Sequence, residues 1–400
     1  MKSLFKSVAI ITVFSVLTRF AGFMFRIYLS RAIGPEGLGI YQVAFSVFAV
    51  LLTIVASGLP LIISKNSAKY IVKKDKAQER KTVTAGFFIA LAASIFLCLL
   101  VLVLKNVLKV SFTDKRCIEI LMILLPAVVF SSIYGVFRGN LWGHSNYFAV
   151  CFAEFFEQVL RIVICVIMLS QVLSSFDGAM SAAKSLTISC LFSAILVVIL
   201  YFANGGRLSK CKNEYREIIK TSAPITGVRF ATSMIQPIIA VLIPLRLVAA
   251  GFSSSQAISL LGIAVGMTMP FLFIPSTLVG SLSMALIPDL SMAQEAKNEK
   301  HISNRITSSI SLSLFFSSFL VPLYMGAGEQ IGKFFFDNAQ SGILLSSAAW
   351  IMIPIGISNI TSAILNALGL ETKSFKNNII GAIFLLLCIW FLPKYIGIKA

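Results

Sequence analysis

The chain has 400 residues, of which 58% are hydrophobic and only 12% charged, and its mean hydropathy is +0.91. A soluble domain has roughly a quarter charged residues, and one of this length could hide only part of so much apolar side chain, which excludes most soluble enzymes and nucleic-acid binders. The formal net charge of +18, from 34 Lys and Arg against 16 Asp and Glu, would suggest polyanion binding in a soluble protein, but in a membrane chain topology signals must be subtracted first.

A membrane span needs about 20 mostly apolar residues. Eleven such stretches follow one another, at approximately 7 to 29, 38 to 60, 83 to 104, 118 to 141, 147 to 170, 184 to 203, 220 to 246, 257 to 283, 305 to 326, 342 to 365 and 376 to 396. Runs such as Phe87 to Leu104 show none of the alternation of a barrel strand. The expected fold is therefore an all-α integral membrane protein with about 11 transmembrane helices. The first span is too long, and too interrupted by Arg19 and Arg26, for a cleaved signal peptide.

Along the chain, Arg19 and Arg26 are seven residues apart, on one helical face with Gly22 between them. The segment Gly34-Pro35-Glu36-Gly37-Leu38-Gly39 follows a span and lacks the Lys-Ser/Thr of a phosphate-binding loop, so it reads as a tight turn. Lys65 to Lys81 holds seven basic residues and Arg207 to Lys220 five. Both read as topology signals and solvated faces, and secondarily as contacts for anionic lipid. Placing the N-terminus and alternate loops on one side gathers most loop Lys and Arg there, which orients the N-terminus toward the cytoplasm.

The fifth span contains Glu154, Glu157 and Arg161, with Glu157 and Arg161 in the favourable i,i+4 order. A self-neutralised pair and a coupling role in a transport cycle both fit. The seventh span contains Arg229 and closes at Arg246. A charge inside a span costs about 3 kcal/mol or more and so faces a partner or a wet cavity. Arg26 is near enough to its span end to snorkel. For Arg19 and Arg229, an anion-binding cavity competes with pairing to Glu154 or to a carbonyl. The guanidinium fork binds two oxygens at once, so a cavity lined by arginine favours phosphate or pyrophosphate headgroups, and a carrier of organic cations would need the opposite sign.

Seven cysteines without a CxxC pair argue against a zinc site, and most fall in apolar runs as small hydrophobes. His144 and His301 lie in loops without metal-ligand spacing. Neither catalytic residues, nor a metal, nor a cofactor is expected.

The first half of the sequence resembles the second. Gly39-Ile40, Ser57 to Pro60 and the polar stretch Ser64 to Asp75 recur as Gly262-Ile263, Ser281 to Pro288 and Asp289 to Lys300. Asn140-Leu141-Trp142-Gly143 recurs as Asn366-Ala367-Leu368-Gly369. The offset is about 223 to 226, with the same orientation in both halves, as expected of parallel repeats. The expected domains are an N-terminal six-helix lobe over 1–210 and a C-terminal lobe over 216–400, two pseudo-symmetric helical bundles around a central cavity. At this offset the partner of the sixth span would fall near 410 to 429, so the second lobe is expected to lack its last helix.

Several segments together resemble one family. They are Arg19 to Gln42 with its RAIGPEGLGIYQ, Phe137-Arg138-Gly139, Glu157-Gln158-Val159-Leu160-Arg161, Ile243-Pro244-Leu245-Arg246, and Gly266-Met267 with Pro275-Ser276-Thr277-Leu278 and Ile287-Pro288-Asp289. The chain is similar to the stage V sporulation protein B group of polysaccharide-transporter-like proteins, in the multidrug, oligosaccharidyl-lipid and polysaccharide exporter superfamily. The resemblance implies alternating access and the movement of an undecaprenyl-pyrophosphate-linked sugar or peptidoglycan precursor across the cytoplasmic membrane. The first-span arginines look similar to the cationic cavity of lipid II flippases.

The expected function is thus a flippase for an anionic lipid-linked saccharide, and not an enzyme. Arg19, Arg26 and Arg229 form the expected headgroup site, with Arg138, Arg161 and Arg246 as contributors near span ends or in ion pairs. Membrane lipids and cell-wall synthesis proteins are the expected partners, and nucleic acid is not. A cation-coupled multidrug exporter is the alternative and would need an available acid in the first lobe. A membrane-embedded glycosyl or acyl transferase is less favoured. The orientation has a direct test: single cysteines placed in Lys65 to Lys81 or Arg207 to Lys220 should react with an impermeant thiol reagent only after the membrane is opened. Labelling of both loops in intact cells would invert the topology.

Overall fold

The computed structural model describes residues 2–172, 174–211, 214–274, 286 and 289–397. Among them all regular structure is helical. In the first half the helices are α1 (Lys2–Ala56), α2 (Leu59–Val72), α3 (Lys76–Val103), α4 (Lys105–Ser111), α5 (Arg116–Gly143), α6 (Tyr147–Leu169) and α7 (Ser175–Ala203). There follow α8 (Glu214–Ser233), α9 (Ile235–Ala249), α10 (Ser254–Leu261), a π-helical turn over Gly262–Thr268, and α11 (Met269–Leu272). The chain continues with α12 (Glu299–Phe336), α13 (Ala339–Ala348), α14 (Met352–Ala367), α15 (Glu371–Phe391) and the short α16 (Pro393–Ile396). Pro275-Ser276-Thr277-Leu278 and Ile287-Pro288 of the quoted motifs lie outside the described residues.

Nine helical stretches among the described residues are long and apolar enough to cross a membrane. One of them, Ala9–Val72, contains two of the expected spans. The 23-residue α6 is a further apolar helix, set apart because its three charges, Glu154, Glu157 and Arg161, lie in its middle rather than at its ends. Large apolar side chains such as Phe319 and Phe384, 69% and 68% exposed, stand on outer helix faces, where only lipid would cover them without penalty.

The turn expected at Gly34 to Gly39 is a kink inside α1. Only Gly34 leaves the helical conformation, at φ 69° and ψ 178°, a backbone region open to glycine. Pro35 has no N–H to leave unpaired, so the helix restarts at once. Beside the kink, Arg116 at the start of α5 donates to Glu36 at 2.5 Å and to Asp114 at 2.7 Å. The proposed turn segment is therefore anchored by an ion-pair cluster.

By contacts the chain divides into two compact units, Met1–Leu245 and Arg246–Ala400. In the first unit α5 is central. It is buried nearly all round, from Cys117 to Leu141, and packs on α1, α2, α3 and α7, as a helix does when it has no solvent face. Phe137 is fully buried and its ring lies 5.0 Å from that of Tyr201. The buried surface of α7 is built largely of small residues, including Gly178, Ser181, Ser185 and Ser189, which let membrane helices approach closely; a Cβ at Gly178 would meet Ile33 of α1. Helix α8 packs on α1, α2 and α3 of this unit, and the division by contacts falls inside α9, at Leu245, rather than near 210 where the repeat divides the sequence. In the second unit α12 packs on α13 and α14 and buries Ser309, Ser313 and Ser317 at successive turns.

The internal repeat reaches the backbone. Lys74 and Lys297 both take positive φ, 55° and 51°, as do Ser145 and Gly369, 56° and 69°, so at the second turn the backbone register sets Gly369 on Ser145, two residues from the Gly143 that the sequence match pairs with it. The next residues, Asp75 and Asn298, accept from Gln78 N and His301 N as helix N-caps. At the first of these ends a polar brace joins α2, α3 and α5. Asn140 Nδ2 donates to Ser67 Oγ at 3.0 Å and to Glu79 Oε1 at 2.8 Å, and His144 Nε2 meets the same oxygen at 2.5 Å. In the second unit Ser291 Oγ donates to the Ala367 carbonyl at 2.9 Å, and Asp289 pairs with Arg305 at 2.8 Å and His301 at 3.3 Å.

Two outcomes follow from this packing. A Cβ at Gly139 would sit 2.5 Å from the Pro60 carbonyl oxygen and 3.0 Å from its Cα. Both are backbone atoms and yield little. Gly139→Ala should therefore cost ~1–3 kcal/mol, read as a lower melting temperature of the detergent-solubilised protein; an unchanged midpoint would mean that α2 and α5 are not so close. For His144, the hydrogen bond to the Glu79 carboxylate raises the imidazole pKa above its ordinary value, against partial burial and the opposing Lys76 charge. Protonated His144 then adds stability that is complete below about pH 6.5 and is lost as the pH climbs through the raised value. The melting difference between wild type and His144→Gln should shrink toward alkaline pH, and a difference independent of pH would leave His144 a neutral packing group.

Candidate functional site

Charges inside the first unit sit where helices α1, α5, α6 and α7 meet. On α6 the i,i+4 spacing brings Arg161 onto Glu157 in an ion pair whose side chains are only 21% and 20% exposed. One turn earlier on the same helix, Glu154 is paired with Arg138, which reaches across from α5. The Arg138 guanidinium also lies over the Trp142 ring, 5.6 Å from its centroid, within cation–π range. Cys190 of α7 approaches Glu157 Oε1 at 3.8 Å.

Two tyrosines join these pairs to each other and to α1. Tyr134, one turn before Arg138, lies within electrostatic reach of Arg138, Glu154 and Glu157. Tyr41 of α1 is similarly within electrostatic reach of Arg26 and Arg161. The result is a polar strip running from Arg138 through Tyr134 and the Glu157–Arg161 pair to Tyr41 and Arg26. Along it the Tyr134 hydroxyl, Arg138 Nε and Arg161 Nε are buried without a hydrogen-bond partner among the described residues. Buried donors left unpaired cost about 1–3 kcal/mol each, so the strip has unused capacity for acceptor oxygens.

The remaining arginines are disposed differently. A Cβ at Gly22 would stand 3.6 Å from the Gln158 amide nitrogen of α6, so the first-span face at Gly22 meets α6 directly. On that face Arg26 is half-buried and Arg19 exposed. Neither forms an ion pair among the described residues. Arg229, exposed on α8, donates from Nη1 to the Ser57 carbonyl at 3.2 Å, at the break between α1 and α2. Arg246 belongs to the second unit, where it donates to the Trp390 carbonyl at 2.7 Å and stacks 4.4 Å from the Trp390 ring centroid.

The geometry thus brings Arg26, Arg138 and Arg161 together with Glu154 and Glu157, sets Arg19 on the same α1 face as Arg26, ties Arg229 to a helix break and commits Arg246 to α15. Sequence reasoning did not single out Tyr134, Tyr41 or Cys190. Tyr134 had a signal, since it stands four residues before Arg138 on the same helical face; Cys190 had none.

Residues 4–294 match the polysaccharide biosynthesis protein family. Over 392 residues the chain is 24% identical to stage V sporulation protein B of Bacillus subtilis (strain 168), covering 94% of this chain and 75% of that protein. It is 22% identical over 417 residues to the lipid II flippase MurJ of the same organism, covering 95% and 75%. Its fold matches the inward-facing conformation of a multidrug resistance MATE family transporter of the MOP superfamily, with a TM-score of 0.79 at 15% identity over 96% of this chain and 89% of that chain. The molecule is accordingly a multi-pass, all-helical membrane protein with the two-lobe fold of that superfamily. With a family match over most of its length, the chain belongs to the polysaccharide biosynthesis protein family.

Proposed function

We propose that this protein is a flippase that moves an anionic lipid-linked saccharide or peptidoglycan precursor across the cytoplasmic membrane by alternating access, with its N-terminus in the cytoplasm. One observation carries the reading. Both glutamates of α6 are taken by arginines, Glu154 by Arg138 and Glu157 by Arg161, while Arg19 and Arg26 have no carboxylate partner among the described residues. The uncompensated charge is positive. A cation exporter needs an available acid in the same place, and a carboxylate already in an ion pair is a poor one. The family and the lipid II flippase among its relatives agree with an anionic lipid-linked substrate.

In this reading Arg19 and Arg26 hold the pyrophosphate. Arg229 joins them, since its bond to Ser57 uses one of the five N–H donors of a guanidinium. Arg138 and Arg161 keep the strip polar and contribute their unpaired Nε donors, and Arg246 is a peripheral contributor. The lobes that alternate are 1–210 and 216–400, as the repeat divides them. The work is transport rather than catalysis, and cell-wall synthesis proteins are the partners that would supply and consume the substrate.

A pyrophosphate leaving water must be repaid in donors, and charge-assisted hydrogen bonds are worth about 1.5–3 kcal/mol each. Arg19→Ala, Arg26→Ala and Arg229→Ala should each weaken precursor binding by roughly tenfold to a hundredfold. Arg19→Lys keeps the charge but loses the fork and should be milder than Ala; Arg19→Glu should be the most severe. Glu157→Gln should disturb packing or the transport cycle without abolishing headgroup binding. Flipping at wild-type rates by all three alanine variants, purified and folded, would make these arginines structural and favour the multidrug exporter.

A further inference from the structure

Beyond the charged strip, the exposed side of α2 carries two edges of different chemistry. Lys65, Lys69 and its C-cap Lys73 stand at i, i+4 and i+8 and are all exposed, while Leu61, Ala68 and Val72 form an adjoining exposed edge. Ile63, Ser67 and Tyr70 face the other way and are buried. Val72 is 84% exposed and is the last residue of the apolar stretch Ala9–Val72. A helix that packs on its own protein along one side, and shows an apolar edge beside a basic one along the other, fits the boundary between acyl chains and headgroups.

None of the three lysines forms an ion pair among the described residues. The acids at this end are engaged elsewhere: Asp75 caps α3, Glu79 holds Asn140 and His144, and Glu214 accepts from Gln78. Nor does the shared fold demand the lysines. The backbone register that matches Lys74 with Lys297 puts Pro288, Met292 and Ala296 in their places and Glu295 in that of Val72, although parallel repeats face the membrane the same way. The basic edge therefore belongs to the first unit alone. Lysine also narrows the ligand, since an ammonium acts as a point charge, without the fork with which a guanidinium grips a pyrophosphate. At 1.5 Å of rise per residue the three are spread over about 12 Å of helix, which suits separate phosphodiester headgroups side by side and not one compact polyphosphate.

We infer that α2 binds anionic phospholipid, with its lysines on the phosphodiesters and Leu61, Ala68 and Val72 against the acyl chains. The inference needs only a membrane-spanning chain and is independent of the cargo. In the test, the full chain with a photo-crosslinking side chain at Val72 is reconstituted in vesicles of equal phosphatidylglycerol and phosphatidylcholine, and its lipid adducts are identified by mass spectrometry. Phosphatidylglycerol adducts should predominate. Lys69→Gln should lower that preference about fivefold, and adding Lys65→Gln and Lys73→Gln should bring it near the vesicle ratio, as should about 0.5 M salt. The same probe at Met292, 65% exposed in the second unit, should show no preference, which separates this edge from general attraction to an anionic surface. Adducts in the vesicle ratio, a preference that survives the triple variant, or an equal preference at Met292 would overturn the proposal. An absence of lipid adducts at Val72 would do the same and leave α2 a solvated face. In vesicles that also contain undecaprenyl pyrophosphate, capture of that lipid ahead of phosphatidylglycerol would overturn it in favour of a cargo site.

Discussion

In hydrocarbon a charge has no water to fall back on, and this constraint fixes the interior of the first unit. Helix α6 is the clearest case. It carries two carboxylates and one guanidinium within eight residues, Glu154 to Arg161, and could not lie in lipid if they were unpaired. One pair closes within the helix; the other requires Arg138 to be delivered by α5, so the register of α5 against α6 is set by charge as much as by packing. Once both acids are consumed, any further arginine on a neighbouring helix has to find something other than a carboxylate. Arg229 finds a carbonyl, Arg26 finds the neighbourhood of Tyr41, and Arg19 is left exposed.

Backbone breaks create some of those alternatives. A helix ends with carbonyls that have no intrahelical donor and with a partial negative charge. The chain between α1 and α2 opens at Ser57 and Gly58, and the Ser57 carbonyl there accepts from Arg229 of α8. The Gly34 kink does comparable work at the other end of the second span, where Glu36 is held by Arg116. Bends in α1 therefore serve as polar attachment points for later helices, which ties the expected flexibility of such a fold to specific donors and acceptors.

Much of this was legible in the sequence. Hydropathy located most of the spans, because they are largely apolar even where an arginine such as Arg19 or Arg229 interrupts them, and the repeat has a counterpart at turns, where Lys74 with Lys297 and Ser145 with Gly369 share a left-handed backbone. The Glu157–Arg161 pair was legible since both partners lie on one helix. The Arg138–Glu154 pair was not, because contact across two helices depends on their relative rotation, which no linear spacing encodes.

The net charge of +18 can now be apportioned. Most of it lies in the basic loops, which the fold uses as a braced polar base. Gln78 donates to Glu214 at 3.1 Å, Arg80 to the Gly205 carbonyl at 3.0 Å, and Ser209 N to Thr84 at 3.0 Å. Charges placed there are hydrated and carry orientation, so they say little about a substrate. What bears on cargo is the small remainder around α6, where its two acids, Glu154 and Glu157, are already paired and Arg26 and Arg19 of α1 are not. In a low-dielectric setting an excess of one or two such groups outweighs a dozen screened lysines at the surface. In the flippase reading, the sign of that excess, rather than the magnitude of the total, is what suits the interior to an anionic cargo.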